Sequence, residues 1–387
     1  MNRRFLEVYL LQAFYCLPFS LGWAFALLFY VSLGFTATQI MVFYLVHYLT
    51  ILSVLMLLRK SRAFSLITAS LFLAAVGFFV ISRVETAGEF YLVPVIFGLA
   101  SPLFWIPYNI IYFSFAQKDG RALTSGLLFL VLPALNTVMP ILAGLMIASQ
   151  GFRVLFTASM LAAILALVYA IKVGDSKVLD LSYRKTLKPT KGVRTLIYLE
   201  GIWQGVSWIC VPLITFTFID SSLGYGSFLS YLGVIGAISS LILCGISDRL
   251  RNRTFFLVPA VTLVSVFTIA SGLTHSLSGW VVVNGLVGFF IAVTSPFTVS
   301  VVLDRDKDIR EGMISREFFL NFGRVTGVLT IMLLFHFYGS LHYPLIAAGI
   351  AFALYPVVLR AKNLYPSRIS IRSIVSGIRR QPIRRTV

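Results

Sequence analysis

Long apolar blocks separated by short polar connections make up most of the chain. Residues 95–115, 123–149 and 255–273 each run for about 20 residues or more without Lys, Arg, Asp or Glu. A helix needs about 20 apolar residues to cross the roughly 30 Å hydrocarbon core of a bilayer, and helices in soluble proteins are usually shorter. Backbone polar groups in hydrocarbon must be satisfied within the segment, so the blocks are helices. The pattern predicts about twelve spans: 9–31, 40–58, 64–82, 91–115, 123–148, 154–171, 195–219, 227–246, 255–273, 280–302, 318–338 and 344–360.

Basic residues are distributed unequally between the two sets of connections. One set carries nearly all of the 32 Lys and Arg residues, and the opposite set carries only Arg83 and Arg153. The positive-inside rule places the basic set in the cytoplasm. Both termini are then predicted to be cytoplasmic, in agreement with an even number of spans. We expect a multi-pass protein of the plasma membrane.

The formal net charge of +18 would also suit a protein that binds nucleic acid. The basic residues cluster at helix ends, however, where they attract anionic lipid headgroups, and no zinc-finger or RNA-binding signature accompanies them. We therefore expect lipid contacts and no nucleic-acid partner. The basic tail, 363–387, has the spacing of an amphipathic helix on an anionic leaflet; a disordered basic tail is the alternative.

The spans divide six and six about the longest internal polar segment. We predict an N-terminal bundle (1–172), a cytoplasmic linker (173–193), a C-terminal bundle (194–362) and the tail. Short sequences recur at nearly constant offset: Ser101-Pro102 in the fourth span matches Ser295-Pro296 in the tenth. Repeats of this kind build transporters with a site at mid-membrane.

One cytoplasmic connection carries a family-like motif. Residues 244–253, between spans eight and nine, resemble the Gly-x-x-x-Asp-Arg-x-Gly-Arg-Arg loop of the major facilitator superfamily, and Asp248, Arg249 and Arg253 fit it. Gly151-Phe152-Arg153 is similar to the stretch that often opens span six in that family. The resemblance implies an all-α fold of two six-helix bundles about a central cavity and transport by alternating access. It also implies a gating role for Asp248, Arg249 and Arg253. We expect a monomer.

Span five carries Asn136, Pro140 and Gly144, which are similar to the Gly-Pro-x-x-Gly-Gly motif of antiporters. Met139 and Ala143 stand where that motif has glycine. Small residues allow helices to approach closely in lipid, and Met139 weakens that approach. The resemblance favours exchange across the membrane, and Asn136 is an amide that can reach the cavity.

Motifs that carry catalysis or bind cofactors are missing from the sequence. It has no HExxH, no GxSxG and no P-loop, and its three cysteines form no metal or disulfide pattern. We expect neither an enzyme nor a cofactor or metal, and active transport would therefore draw on an ion gradient, with protons as the expected ion.

Polar side chains inside membrane spans cost free energy, so they are interpreted first as functional residues. Glu200, Gln204 and Ser207 in span seven follow at i, i+4 and i+7, which places them on one helix face. Burial favours the neutral form of a carboxyl, so Glu200 can carry a proton. The alternative is a carboxylate at the cytoplasmic lip, paired with Arg194 or the other bundle.

Span eleven repeats that spacing with Glu317, Asn321 and Arg324. Arg316 and Glu317 are expected at the membrane interface, and Arg324 about 10 Å further along the helix. An arginine at that depth must find an acceptor. It binds an anionic group of the substrate, or it pairs with Glu317 or Glu200 as a gate, or the pair is purely structural.

The combined pattern predicts a secondary transporter for a small molecule. Because aromatic residues are abundant and the first half has few buried charges, proton-coupled export of an amphipathic compound is our first hypothesis. Uptake of a small anionic metabolite by proton symport is the second. A non-transporting scramblase or receptor on the same scaffold is the third. The lone His47 is expected to serve packing.

Overall fold

A computed structural model describes residues 3–115, 121–174, 177–182, 192–250, 253–305 and 308–362. Within these ranges, only the backbone is described for 121–126, 243–250, 253–256, 293, 297, 300 and 303–305. The helices are α1 (Arg3–Pro18), α2 (Ala24–Ser32), α3 (Ala37–Leu57), α4 (Ala63–Ile81), α5 (Ala87–Ser114), α6 (Arg121–Asn136), α7 (Met139–Gln150), α8 (Phe152–Val173), α9 (Arg194–Phe218), α10 (Ser222–Leu250), α11 (Arg253–Gly272), α12 (Leu277–Arg305), α13 (Ile309–Tyr338) and α14 (His342–Ala361).

The predicted membrane spans all correspond to helices. Within the described residues, eleven helices are long and apolar enough to cross a bilayer, and α11 contributes a shorter apolar helix, Leu257–Gly272. A π-helical turn, Phe19–Trp23, joins α1 and α2 into one span, and α6 and α7 together form another. The protein is a multi-pass membrane protein, and the all-α prediction is confirmed.

Local sequence explains where several helices begin and end. Thr36 and Thr86 open α3 and α5 with capping boxes, in which the threonine hydroxyl accepts from the N–H of Gln39 or Glu89 and that residue's side chain accepts in return. Gly151, between α7 and α8, has φ 81° and ψ 174°, a conformation that is essentially restricted to glycine. The family-like Gly151-Phe152-Arg153 sequence therefore marks the break before span six.

The largest error in the predicted spans is at span eleven. We predicted a start at residue 318, but α13 begins at Ile309. The charges at Arg316 and Glu317 suggested a membrane interface, yet the helix carries them inward. A charged helix end and a loop look alike in sequence when the charges face a protein interior.

Helix packing repeats between the two sets of six spans. In the first set α4 packs on α5 and α8, and α3 packs on α5; in the second set α11 packs on α12 and α14, and α10 packs on α12. The sets meet where α6 and α7 contact α10, and where α3 and α5 contact α13. We call the two sets the first half and the second half.

A short two-stranded sheet joins two connections that the sequence treats as loops. Strand β1 (Lys60–Arg62) pairs antiparallel with β2 (Val178–Asp180), with Ser61 opposite Leu179. These strands lie at the end of the bundle with most of the basic connections, which we call the basic end. The predicted all-α fold thus gains one small sheet in the connection between the halves.

Candidate functional site: a cavity between the two halves

The described residues enclose a cavity of about 560 Å³ between the halves. Its first-half wall is mainly aromatic, with rings that include those of Tyr15, Phe19, Trp23, Tyr48, Phe97 and Trp105. Phe19 and Trp23 belong to the π-helical turn, which turns the helix locally and is frequent at functional sites. This wall can pack against an apolar or planar ligand.

The second-half wall supplies the charge. Among the described lining residues the charged side chains are Arg316, Glu317 and Arg324, all on α13, and Gln204 and Trp208 of α9 lie beside them. The cavity is therefore asymmetric, with an aromatic side and an ionic side. An amphipathic molecule presents the same two surfaces.

The cavity occupies the half of the bundle towards the basic end. Its lining reaches Phe113, near the end of α5, and Met313, near the start of α13. At the opposite end the halves touch: the rings of Phe25 and Tyr225 are 5.4 Å apart between centroids, and Ser222 donates a hydrogen bond to the carbonyl of Gly144 over 3.1 Å. The cavity thus lies on one side of a contact between the halves.

Two glycine pairs set the distance between α9 and α13. Gly201 and Gly205 face Gly323 and Gly327, and a Cβ added at Gly205 would lie 2.6 Å from the carbonyl oxygen of Arg324. Glycine at this spacing lets helix backbones approach closely in lipid. The crossing holds the polar face of α9 against the polar face of α13.

Arg324 is held by amides and aromatic rings. Its Nε and Nη2 donate to Oε1 of Gln204 over 3.0 and 2.6 Å, and its Nη1 donates to Oδ1 of Asn321 over 2.9 Å. The guanidinium lies 4.6 Å from the ring of Trp208 and 5.7 Å from that of Tyr48. No carboxylate in the described part of the chain forms an ion pair with it. The pairing of Arg324 with Glu317 or Glu200, one of the alternatives left by the sequence, is absent from the described residues of this structure.

Glu200 is completely buried on the adjacent turn of α9. Its Oε1 accepts from Nε2 of Gln204 over 3.1 Å and from the hydroxyl of Ser295 over 3.3 Å. Nη2 of Arg316 is 3.8 Å from the same oxygen. Oε2 makes no hydrogen bond with a described residue. The alternative position at the membrane lip beside Arg194 is not what the structure shows.

Arg316 is paired where Arg324 is not. Its Nη1 lies 3.0 Å from Oε1 of Glu317, and the side chains of both residues are largely buried. Glu317 also accepts through its main-chain carbonyl, from Nδ2 of Asn321 over 2.8 Å. Both residues thus lie inside the protein, and α13 begins about two turns before them; their depth relative to the membrane interface stays a prediction.

Several other predicted site residues lie elsewhere. Ser207 is buried one turn beyond Gln204, outside the cavity lining, and its hydroxyl has no hydrogen-bond partner among the described residues. Asn136 lies against the backbone at Gly233 of α10, in the contact between the halves. The side chains of Asp248, Arg249 and Arg253 lie outside the described residues, as does the tail.

Sequence reasoning missed three residues that shape the site. Arg316 was read as interfacial, Tyr48 reaches Arg324 from the other half, and His47, expected to serve packing, lines the cavity with Nδ1 3.3 Å from the carbonyl of Pro94. The Gly-x-x-x-Gly spacing at 201–205 and 323–327 was the available signal for the α9–α13 contact. No local pattern indicates the contact across the halves.

Comparison with known proteins identifies the architecture. A crystal structure of FucP, a major facilitator superfamily transporter in the outward conformation, has a TM-score of 0.71 at 12% identity, over 93% of this chain and 99% of that one. The human organic anion transporter MFSD10 (TETRAN) has a TM-score of 0.64 at 15% identity, over 93% of this chain and 100% of that one. This chain has the major facilitator superfamily fold.

Sequence comparison adds less. The uncharacterised protein YqgE of Bacillus subtilis (strain 168) is 24% identical over 304 residues, which are 71% of this chain and 68% of that protein. No family model matches the chain. In transporters built from repeats, binding sites lie between the repeats, and this cavity likewise lies between the two halves.

Proposed function

We propose that the protein is a secondary active transporter that moves a small amphipathic molecule through this cavity by alternating access, coupled to protons. The observation that carries the proposal is the cavity itself, with aromatic rings on one half and paired and unpaired charges on the other. Rocking of the halves about such a site exposes it to each side in turn. No ATP-binding motif occurs in the sequence, so an ion gradient is the proposed source of energy.

Glu200 is the proposed proton carrier. It is fully buried, and one of its carboxyl oxygens has no donor among the described residues. A buried carboxylate is costly unless it is paired and fully hydrogen-bonded. Its environment therefore suits a group that gains and loses a proton as the site opens and closes.

Export is the direction that we propose first. Asn136, Pro140 and Gly144 resemble an antiporter motif, and they lie in the contact between the halves, against Gly233, Gly226 and Ser222 of α10. A motif in this contact would influence how easily the two halves move apart during transport. The transported compound would be amphipathic, to match the two walls.

Uptake by proton symport is the second candidate, and Arg324 favours it. Its guanidinium is bound by two amides, which an acidic substrate can replace with a stronger, charge-assisted contact. FucP is described as the Escherichia coli fucose:proton symporter, and MFSD10 as an organic anion transporter. Those activities belong to the two proteins named.

Proteoliposomes with an imposed pH gradient test the proposal. A panel of amphipathic compounds is screened for gradient-driven flux, with proton movement followed by a trapped pH dye. The sign of the flux distinguishes export from uptake. A scramblase or receptor on this scaffold would show no concentrative flux for any compound in the panel.

The matching variant is Glu200→Gln, because Gln mimics the neutral acid. We expect it to abolish flux driven by the pH gradient and to retain exchange of substrate across the membrane. Glu7→Gln is the control, since Glu7 pairs with Arg3 and Arg4 away from the cavity. Normal proton-driven flux in Glu200→Gln would exclude Glu200 as the carrier.

A further inference from the structure

Gln204 connects the two residues on which coupled transport would depend. We propose that the substrate is an organic anion that binds Arg324, and that Gln204 couples its binding to the protonation of Glu200. This inference rests on the second candidate above, uptake by proton symport, and names its substrate class. Gln204 is a positioning residue in this scheme, because it acts through Arg324 and Glu200.

Arg324 offers the cavity's available positive charge. The other described arginine of the lining, Arg316, already contacts Glu317 at 3.0 Å and Glu200 at 3.8 Å. Among the described residues, the acceptors of Arg324 are the amides of Gln204 and Asn321, and a charge in a water-poor site gains most from an ionised partner. Trp208 and Tyr48 flank its guanidinium. A carboxylate attached to a flat or apolar body would meet both the charge and the rings.

The hydrogen-bond partners of Gln204 determine which end of its amide faces Arg324 and which faces Glu200. Its Oε1 accepts from two nitrogens of Arg324, so its Nε2 is the end that donates to Glu200. An arginine offers no acceptor, and the reversed amide would place two sets of donors together. Arg324, Gln204 and Glu200 therefore form one hydrogen-bonded chain with a single orientation.

An incoming carboxylate competes with Gln204 for the same edge of Arg324. Bidentate binding uses two parallel N–H groups of the guanidinium, and Gln204 occupies the Nε and Nη2 pair. When the anion displaces Oε1, the amide turns and withdraws Nε2 from Glu200. Glu200 then loses a donor that stabilises its ionised form and takes a proton. The anion and the proton thus bind together, and linkage makes the effect reciprocal.

Within the described part of the protein, few other titratable or charged groups lie near this hydrogen-bonded chain. Helix α13 contributes Arg316 and Glu317, and α3 contributes His47 and Tyr48. On α14, the hydroxyl of Tyr355 lies 3.0 Å from the hydroxyl of Thr298. His47 is the one whose ordinary titration falls between pH 5 and 8. The experiment must therefore distinguish protonation of His47 from protonation of Glu200.

The test measures binding of 1-naphthoate to the purified full-length protein by titration calorimetry. Repeating it in buffers of different ionisation enthalpy gives the protons taken up per anion. We expect naphthoate to bind with uptake of one proton, and its affinity to rise about tenfold per unit fall in pH where Glu200 is ionised in the free protein. The neutral analogue 1-naphthamide should bind more weakly and without proton uptake.

Variants then test whether Gln204 couples anion binding to protonation of Glu200. In Gln204→Leu, naphthoate should still bind while its affinity becomes independent of pH. In Gln204→Glu, a carboxylate occupies Arg324 and naphthoate binding should be lost. Asn284→Leu removes a buried amide outside the cavity lining, one that donates to the main-chain carbonyl of Trp280, and should retain the pH dependence. If Gln204→Leu does not fold, Gln204→Met replaces it.

Four results would overturn the inference. Naphthoate could bind no better than naphthamide, the pH dependence could survive in folded Gln204→Leu, or naphthoate binding could vanish there. Loss of the pH dependence in His47→Gln would assign the proton to His47 and would also overturn it. None of these results alters the gradient-driven flux measured for the proposed function, so the two can fail separately.

Discussion

Arginine and lysine are not equivalent at position 324, although both are positive. The guanidinium uses three nitrogens for Gln204 and Asn321 and presents its plane to Trp208. Lysine has one nitrogen on a flexible stem, so it cannot fill that fork or stack in the same way. The planar group, and not the charge alone, defines the site.

Arg324→Lys should therefore weaken naphthoate binding by about ten- to one-hundredfold, the value of one hydrogen bond to a charged group. Accessibility of cysteines placed at the basic end should not change if Arg324 binds substrate. Arg83→Lys is a matched control, since Arg83 lies 4.7 Å over the ring of Phe79 outside the cavity. Altered accessibility with unchanged affinity would instead assign Arg324 to a gate.

Helical periodicity was sufficient to predict much of this residue-level picture. The i, i+4 spacing placed Glu200 and Gln204 on one face, and the structure joins them by a hydrogen bond. The same reasoning could not identify Tyr48 as a neighbour of Arg324, because that contact joins residues on different halves. It also did not predict that Arg316 lies inside the protein, because charged residues near a helix end look like a loop.

At the scale of elements, the α9–α13 crossing determines the site. Because Gly205 lies directly against the main chain of Arg324, the two helices approach closely enough for Gln204 to reach the guanidinium. A side chain at this position would separate the backbones. The position of the arginine is thus set by a residue that contributes no side chain.

Gly205→Ala should destabilise the protein by about 1–3 kcal/mol through overpacking, and should weaken naphthoate binding because Arg324 is displaced. The measurement is thermal unfolding in detergent beside the binding assay. Gly288→Ala is the control, since its added Cβ would meet only Leu232, at 3.8 Å. Equal stability in the two variants would contradict the tight crossing.

The spacing of glycines predicts that α9 and α13 each form a close helix contact, but it does not predict that they contact each other. Gly-x-x-x-Gly occurs in both helices, and it signals a close contact in lipid. Which helices meet depends on the arrangement of the whole bundle. The antiparallel pairing of β1 with β2 had no such signal, because three residues in each of two polar connections form no recognisable pattern.

At the scale of the whole molecule, the two ends differ. The halves touch through Phe25 and Tyr225 at one end, while the cavity occupies the other, basic end. If the basic connections are cytoplasmic, as the sequence predicts, the cavity faces the cytoplasm. Alternating access then requires the Phe25–Tyr225 contact to open.

A cysteine pair at these two positions tests that requirement. Phe25→Cys with Tyr225→Cys, joined by a reducible thiol cross-linker, should abolish gradient-driven flux, and reduction should restore it. Phe29→Cys with Phe152→Cys is the control, because those rings lie 5.1 Å apart within the first half. Undiminished flux in the joined 25–225 pair would show that this contact stays closed during transport.

The small sheet at the basic end has a mechanical consequence. Pairing with β1 fastens the chain to the first half as far as the end of β2, so the segment from Asp180 to Arg194 connects that anchor to the second half. Fully extended, those fourteen steps reach about 50 Å, whereas a tether running freely from Val173 would reach about 75 Å. The strand pair thus shortens the free length of chain between the two halves, and this limits how far one half can move from the other.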